Sequence, residues 1–202
     1  MDTPVEPTRQ RAEELLFTYT KTDTLRNHAR AVEAVMRHFA SRLGEQPDKW
    51  GIIGLVHDLD WEMFPEEHCR KTTEILTEEE WPEDWIRAVR SHAWGMFTED
   101  TPEHVMEKVL YTIDELTGLI TATALVRPSR SILDMKTKSV KKKWKEKSFA
   151  AGANREVISA GAEMLAMPLD EVIAETLTGM QTVAGDIGLA GDEEPGQTKG
   201  SP

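Results

Sequence analysis

The sequence predicts an all-α fold, a helical bundle of about eight or nine helices, and three observations carry that expectation. Apolar residues recur at the three-to-four-residue spacing of a helix along most of the chain, while the strict alternation of a half-buried strand is almost absent. Prolines at 65, 82, 102, 128 and 168 stand between these periodic segments, where helices must break. With 202 residues, 39% of them hydrophobic, the chain can bury a sizeable core within a single domain.

Taken in order, residues 1–7 are acidic and Pro-rich, so they are expected to form a mobile arm, and they have no signal-peptide layout. The first helix places Leu15, Leu16 and Tyr19 on one face. A second helix, capped by Asp23 or Thr24, carries His28 together with Ala29, Val32, Val35, Met36 and Phe39. A third places Ile52, Ile53, Val56 and Leu59 together. Further helices are expected at about 66–78, 82–93, 102–126, 138–147, 154–166 and 169–184. Thr101-Pro102 opens the long one and Pro168-Leu169-Asp170 the last. The single domain is then 8–187, and the Gly/Pro/charge composition from Gly188 to residue 202 reads as a disordered tail.

Composition narrows the function. A net charge of −12 disfavours general affinity for nucleic acid or an anionic membrane, because neutralising phosphates needs a basic surface. Cys69 is the only cysteine, so no internal disulfide can form and the expected location is the cytoplasm. No apolar run approaches the length of a membrane span.

The chemistry concentrates at Leu55-Val56-His57-Asp58-Leu59-Asp60. Adjacent residues on a helix point about 100° apart, so an imidazole and a carboxylate side by side can both turn toward one ion between packed helices. His28 upstream and Asp114 downstream complete a set of two neutral imidazoles and two anionic carboxylates, which suits a divalent ion and leaves positions open for water. Each of the four is expected in a helix interior, His28 facing with Val32 and Val35, and Asp114 with Leu110, Thr117 and Gly118. Gly118, one turn after Asp114, would let a helix or ligand approach closely. His38 and His104 fall outside the pattern and are expected at the surface or at helix ends.

The order His28, His57-Asp58, Asp114 resembles the HD superfamily of metal-dependent phosphohydrolases. Asp-Glu-Leu-Thr-Gly-Leu-Ile at 114–120, Ala-Leu-Val-Arg-Pro-Ser at 124–129 and Ser-Val-Lys-Lys-Lys at 139–143 are similar to a subfamily of its predicted hydrolases, and the likeness runs from about residue 12 to about residue 183. The resemblance implies an HD-domain helical bundle in which a metal-activated water attacks the phosphate ester of a small molecule or nucleotide. It also brings in His68 and His92, because some members hold two ions. On that layout one ion takes His28, His57, Asp58 and Asp114, the second takes Asp58, His68 and His92, and Asp58 bridges them. The expected cofactor is a divalent metal, Fe, Mn, Co, Mg or Zn, as one ion or two. A few six-ligand members hold two irons and cleave a C–C or C–P bond with dioxygen, which makes a di-iron oxygenase the alternative.

Around this set, Asp58 is assigned to the catalytic centre, and Asp60 and Glu62 are candidates to move a proton to or from a water or leaving oxygen. The stretch from Arg127 to Lys147 is strongly basic in an acidic protein, and Arg127, Arg130 and Lys142 are the expected contacts for substrate phosphate. The ordinary role of such a lysine face is a solvated surface over a buried stripe of Val140, Trp144 and Phe149. Trp61 and Trp94 lie within three residues of expected ligands, as pocket wall, core or stacking surface.

Overall fold

The computed structural model describes residues 6–191 and is all-helical, with nine α-helices and no strand among the described residues. α1 (Arg9–Tyr19) starts at Thr8, whose hydroxyl accepts from the Arg11 N–H. α2 (Asp23–Leu43) ends where Gly44 turns into the left-handed region at φ 74°, which glycine enters without strain. α3 (Pro47–Val56) is buried from Trp50 to Val56. After a 3₁₀ turn at Pro65–Glu67 come α4 (Arg70–Glu78), α5 (Glu83–Ser91) and the long α6 (Val105–Leu125). α7 (Thr137–Trp144), α8 (Arg155–Met164) and α9 (Leu169–Gln181) follow.

One continuous apolar core runs through these helices, from Ala12 in α1 to Leu189 beyond α9. Phe39, Ile53, Leu110, Ile113 and Leu116 are fully buried there, and each such side chain contributes on the order of 1.5–3 kcal/mol by leaving water. α2 and α3 pack directly against each other at Gly54, which has no side chain. A Cβ at that position would meet the Val32 carbonyl oxygen at 3.2 Å and the Glu33 Cα at 3.3 Å. This approach joins the helix that carries His28 to the helix that ends at His57. No helix of the described residues is long and apolar enough to cross a membrane.

Several boundaries differ from the sequence expectation, each for a local reason. α2 has no side-chain cap of its own from Thr22, Asp23 or Thr24. Instead Glu62 reaches over from the loop after α3 and accepts from the backbone N–H groups of Lys21 and Thr22. α3 stops at Val56 rather than continuing through Leu59, and the His57 ring takes up the Gly54 carbonyl of its last turn at 2.8 Å. The segment expected as a helix from 66 begins only at Arg70, since His68 is extended and Cys69 sits at φ 64°. α6 starts at His104, not at Thr101-Pro102: the His104 ring accepts from the Met106 N–H, and Glu107 accepts from the N–H groups of Glu103 and His104. His104 is therefore a helix-end residue, and half-buried His38 pairs with Glu175 at 2.6 Å.

The expected tail begins too early at Gly188. Leu189 is buried, the Ile132 N–H donates to its carbonyl at 2.9 Å, and Ala190 bridges Ser131, so the fold extends through Gly191. The arm at 1–5 and the tail from 192 lie outside the described residues.

Candidate metal centre

Five elements contribute one cluster. α2 supplies His28, the end of α3 supplies His57 and Asp58, and the turn after Pro65–Glu67 supplies His68. The end of α5 supplies His92, and α6 supplies Asp114. Only His28 and Asp114 project from helix interiors; the other four stand at helix ends or in turns, contrary to expectation for His57 and Asp58.

The donor atoms sit at ligand spacing. His28 Nε2 is 2.9 Å from Asp114 Oδ1, and His57 Nε2 is 3.3 Å from the same oxygen. The Nε2 atoms of His28 and His57 are 3.3 Å apart, and those of His68 and His92 are 3.2 Å apart. Donors held about 2.1 Å from one ion stand about 3.0 Å apart at octahedral corners and about 3.4 Å apart at tetrahedral ones, so these separations fit a shared ion. Asp58 divides its oxygens between the two histidine pairs. Its Oδ2 lies 3.4 Å from His57 Nε2 and 3.9 Å from His28 Nε2, whereas its Oδ1 lies 3.3 Å from His92 Nε2 and 3.6 Å from His68 Nε2.

Each ring is held by its other nitrogen. His57 Nδ1 faces the Gly54 carbonyl at 2.8 Å, His92 Nδ1 the Val89 carbonyl at 2.5 Å, and His68 Nδ1 the Asp60 Oδ1 at 2.7 Å. For His28 the partner is Thr117 Oγ1 at 3.4 Å, a hydroxyl that already donates its own proton to the Asp114 carbonyl and so is free to accept. In the neutral rings, acceptors at Nδ1 favour the Nδ1–H tautomer, whose Nε2 lone pairs face the cluster, which is the arrangement a metal needs.

The electrostatics fit a cation as well. Burial alone would raise the Asp58 and Asp114 carboxyls, but the charge of His57 and hydrogen bonds from His92 to Asp58 and from His28 to Asp114 hold both well below the ordinary carboxylate range. Burial pulls the His28, His68 and His92 imidazoles down. It is outweighed by Asp114 for His28, by Cys69 and Asp58 for His92, and mainly by Asp60 for His68, which is carried up to about 9. The carboxylates thus call for positive charge, and a proton on each ring or a divalent ion in their midst supplies it.

Asp60 is not a free proton carrier. It is fully buried, accepting from His68 at Oδ1 and from the Thr72 N–H of α4 at Oδ2, so it holds a ligand and starts a helix. Glu62 is committed to the start of α2. Arg127 pairs with Asp134 and Ser139, Arg130 turns the backbone at φ 48°, and neither they nor Lys142 line the cavity over the cluster.

That cavity, about 1260 Å³, opens on His28, Asp58, His68, His92 and Asp114. Its cationic residues are Lys145, Lys147 and Arg155, further along the same basic stretch and into α8. Arg155 donates to the carbonyls of Trp144, Phe149 and Ala153, which ties down the segment forming one wall. Trp61 lines the cavity, whereas Trp94 packs against Tyr111 with ring centroids 5.8 Å apart. Nothing crowds Gly118, which leaves its side of the cavity open instead of admitting another helix.

Two residues here were given no place at the site by the sequence. Glu115 lines the cavity and accepts from the Asn154 N–H at 2.9 Å, and burial pushes its carboxyl up. Its signal was adjacency to Asp114. Cys69 is buried at φ 64°, a conformation that costs a non-glycine residue about 1–3 kcal/mol. Its thiol lies 4.0 Å from His92 Nδ1, the side of the ring away from Asp58. His68, Cys69 and His92 are close enough to form a trio, but Nδ1 of His92 is already engaged with Val89, so Asp58 and not Cys69 joins the two histidines on their Nε2 side. Comparison of the chain with protein-family models, with curated proteins and with solved structures gave no match.

Proposed function

We propose that this chain is a binuclear metal-dependent phosphohydrolase of the HD type, acting on the phosphate ester of a small molecule. The observation that carries the reading is the division of the two Asp58 oxygens between the His28–His57 and His68–His92 pairs. His28, His57, Asp58 and Asp114 would hold one divalent ion, and Asp58, His68 and His92 the other. Such a pair supplies Lewis-acid charge for phosphate oxygens and makes a nearby water acidic enough to act at neutral pH. Lys145 and Lys147 neutralise substrate phosphate at the cavity wall, the role first expected of Arg127, Arg130 and Lys142. Glu115, half-buried at the cavity and raised, takes the proton-transfer role toward the leaving oxygen that was first expected of Asp60 and Glu62.

The test is elemental analysis of the purified chain together with phosphomonoester turnover in Mn²⁺ or Co²⁺ under argon. Two ions per chain and turnover lost in Glu115→Gln are expected; fewer than one ion per chain at saturating metal would end the reading. The same six-residue set, with His68 and His92 buried beside Asp58, also favours a second reading, a di-iron oxygenase. Substrate-dependent oxygen uptake by iron-loaded protein, with no turnover under argon, would select it.

A further inference from the structure

The cavity over the cluster is lined by two chemically different sets of residues. Lys145 and Lys147 are exposed and make no ion pair among the described residues, although their neighbours Lys141 and Lys143 are tied to Asp170 and Glu146. Trp61, Met96 and Phe97 line the cavity beside His68 and remain 39%, 44% and 49% exposed in a protein whose other large apolar residues mostly lie in the core. Their position follows from a tight turn after α5. Gly95 at φ 76° reverses the chain, its N–H donates to the Thr98 carbonyl at 3.0 Å, and Thr98 Oγ1 donates back to the Arg90 carbonyl at 3.0 Å. The turn thereby presents two adjacent apolar side chains, Met96 and Phe97, toward the cavity.

Trp61 and Phe97 meet nearly at right angles, with centroids 6.1 Å apart, and both set an edge or face against His68, at 4.9 and 5.0 Å. They form an apolar corner beside the second histidine pair. Ala93, Met96 and Phe97 offer this wall no side-chain hydrogen-bonding nitrogen or oxygen, and Trp61 offers one N–H. A nucleobase set there would leave most of its ring nitrogens and carbonyls without partners, which is costly once water is excluded. A hydrocarbon ring has no such demand and buries its faces against the corner.

Resting on the phosphohydrolase reading, we propose that the substrate is amphipathic: its phosphate lies between the cluster and Lys145 and Lys147, and an aromatic hydrocarbon group occupies the corner of Trp61, Met96 and Phe97. Specificity then comes from the turn after α5 as much as from the metal ligands, because removing the corner leaves the phosphate site in place.

Titration calorimetry of the metal-loaded full chain with phenylphosphonate and methylphosphonate separates the two parts, since the headgroup is the same and neither compound is hydrolysed. Phenylphosphonate is expected to bind at least about tenfold more tightly, as burial of one ring predicts. Trp61→Ala and Phe97→Ala should each reduce that preference with metal content unchanged, and Phe97→Leu should retain part of it. Both residues are substantially exposed, so the folded core does not depend on them. Equal affinity for the two phosphonates, or a preference that survives in the Trp61→Ala/Phe97→Ala double variant, would overturn the apolar subsite and leave the phosphohydrolase reading standing. A thymidine phosphonate, equally resistant to hydrolysis, binding as tightly as phenylphosphonate would replace the hydrocarbon by a base and overturn the proposal. Failure of both phosphonates to bind would overturn the proposal together with the phosphate reading beneath it.

Discussion

Replacing Asp60 by Asn removes one acceptor and adds a donor in a fully buried place, and the structure says what that does. The carboxylate satisfies two donors at once, His68 Nδ1 at 2.7 Å and the Thr72 N–H at 2.8 Å. An amide has a single oxygen. If that oxygen stays on Thr72, the amide nitrogen faces His68 and forces the ring to carry its proton on Nε2, where the lone pair for the second ion is needed. If the oxygen turns to His68, the start of α4 is left with two donors facing each other. The first arrangement keeps both contacts but puts the proton on the nitrogen that faces the cluster, and the second leaves the Thr72 N–H unsatisfied, at about 1–3 kcal/mol.

Loss of a carboxylate behind a metal-bound imidazole weakens the ion about 10–100-fold, or about 1.4–2.8 kcal/mol. The expected Asp60→Asn protein is folded, retains the first ion, and binds the second about 10–100-fold more weakly. Competition with a chelator of known affinity, read by elemental analysis, gives the two affinities, and a thermal melt reports the stability change. Two ions bound with unchanged affinity would refute the positioning role and return Asp60 to the proton-transfer role assigned from the sequence.

The remaining expectations concern the cluster and the helices beneath it. Asp58→Ala should lose both ions while keeping its helical content, because Asp58 lines the cavity and not the core; retention of full metal in that variant would remove the bridge. His92→Ala should halve the metal content, and two ions per chain would strike His92 from the ligands. Burial pulls the His68 imidazole down but Asp60 carries it up to about 9, so an ion taken up at its Nε2 near neutral pH should displace a proton. The ion's affinity should then rise by about tenfold per pH unit between pH 7 and 9 for each proton displaced, with release detectable in weak buffer, and a flat profile would contradict the raised imidazole. Gly54→Ala should lower stability by about 1–3 kcal/mol, several degrees in a melt, since its Cβ meets α2 backbone atoms at 3.2 and 3.3 Å. An unchanged melting temperature would show that α2 and α3 separate without cost.

What the sequence made legible follows from the range over which each feature is determined. Helix identity rests on periodicity within a dozen residues, and the helical architecture was readable from faces such as Val32, Val35, Met36 and Phe39. The six cluster residues were named by type and order together with a resemblance, and all six converge. Their backbone setting was not readable, because a helix end depends on which side chain reaches a freed carbonyl or N–H. His57 on Gly54, Glu62 on the start of α2 and His104 at α6 each decide a boundary through a contact that propensity does not encode.

The same limit explains why Asp60 and Arg127 read as free groups and why Lys145 and Lys147 were not singled out from the basic stretch. A carboxylate two positions after Asp58 reads as free to move protons until the fold brings His68 and the start of α4 onto it. Arg127 reads as a phosphate contact until Asp134, seven residues on, claims it, while Lys145 and Lys147 reach the cavity because Arg155 holds their segment against it. In each case the residue's charge was visible and its partner was not. Ligand chemistry is a property of single residues, whereas availability is a property of what the fold sets beside them, so the six converging side chains were more legible in the sequence than the engagement of the groups around them.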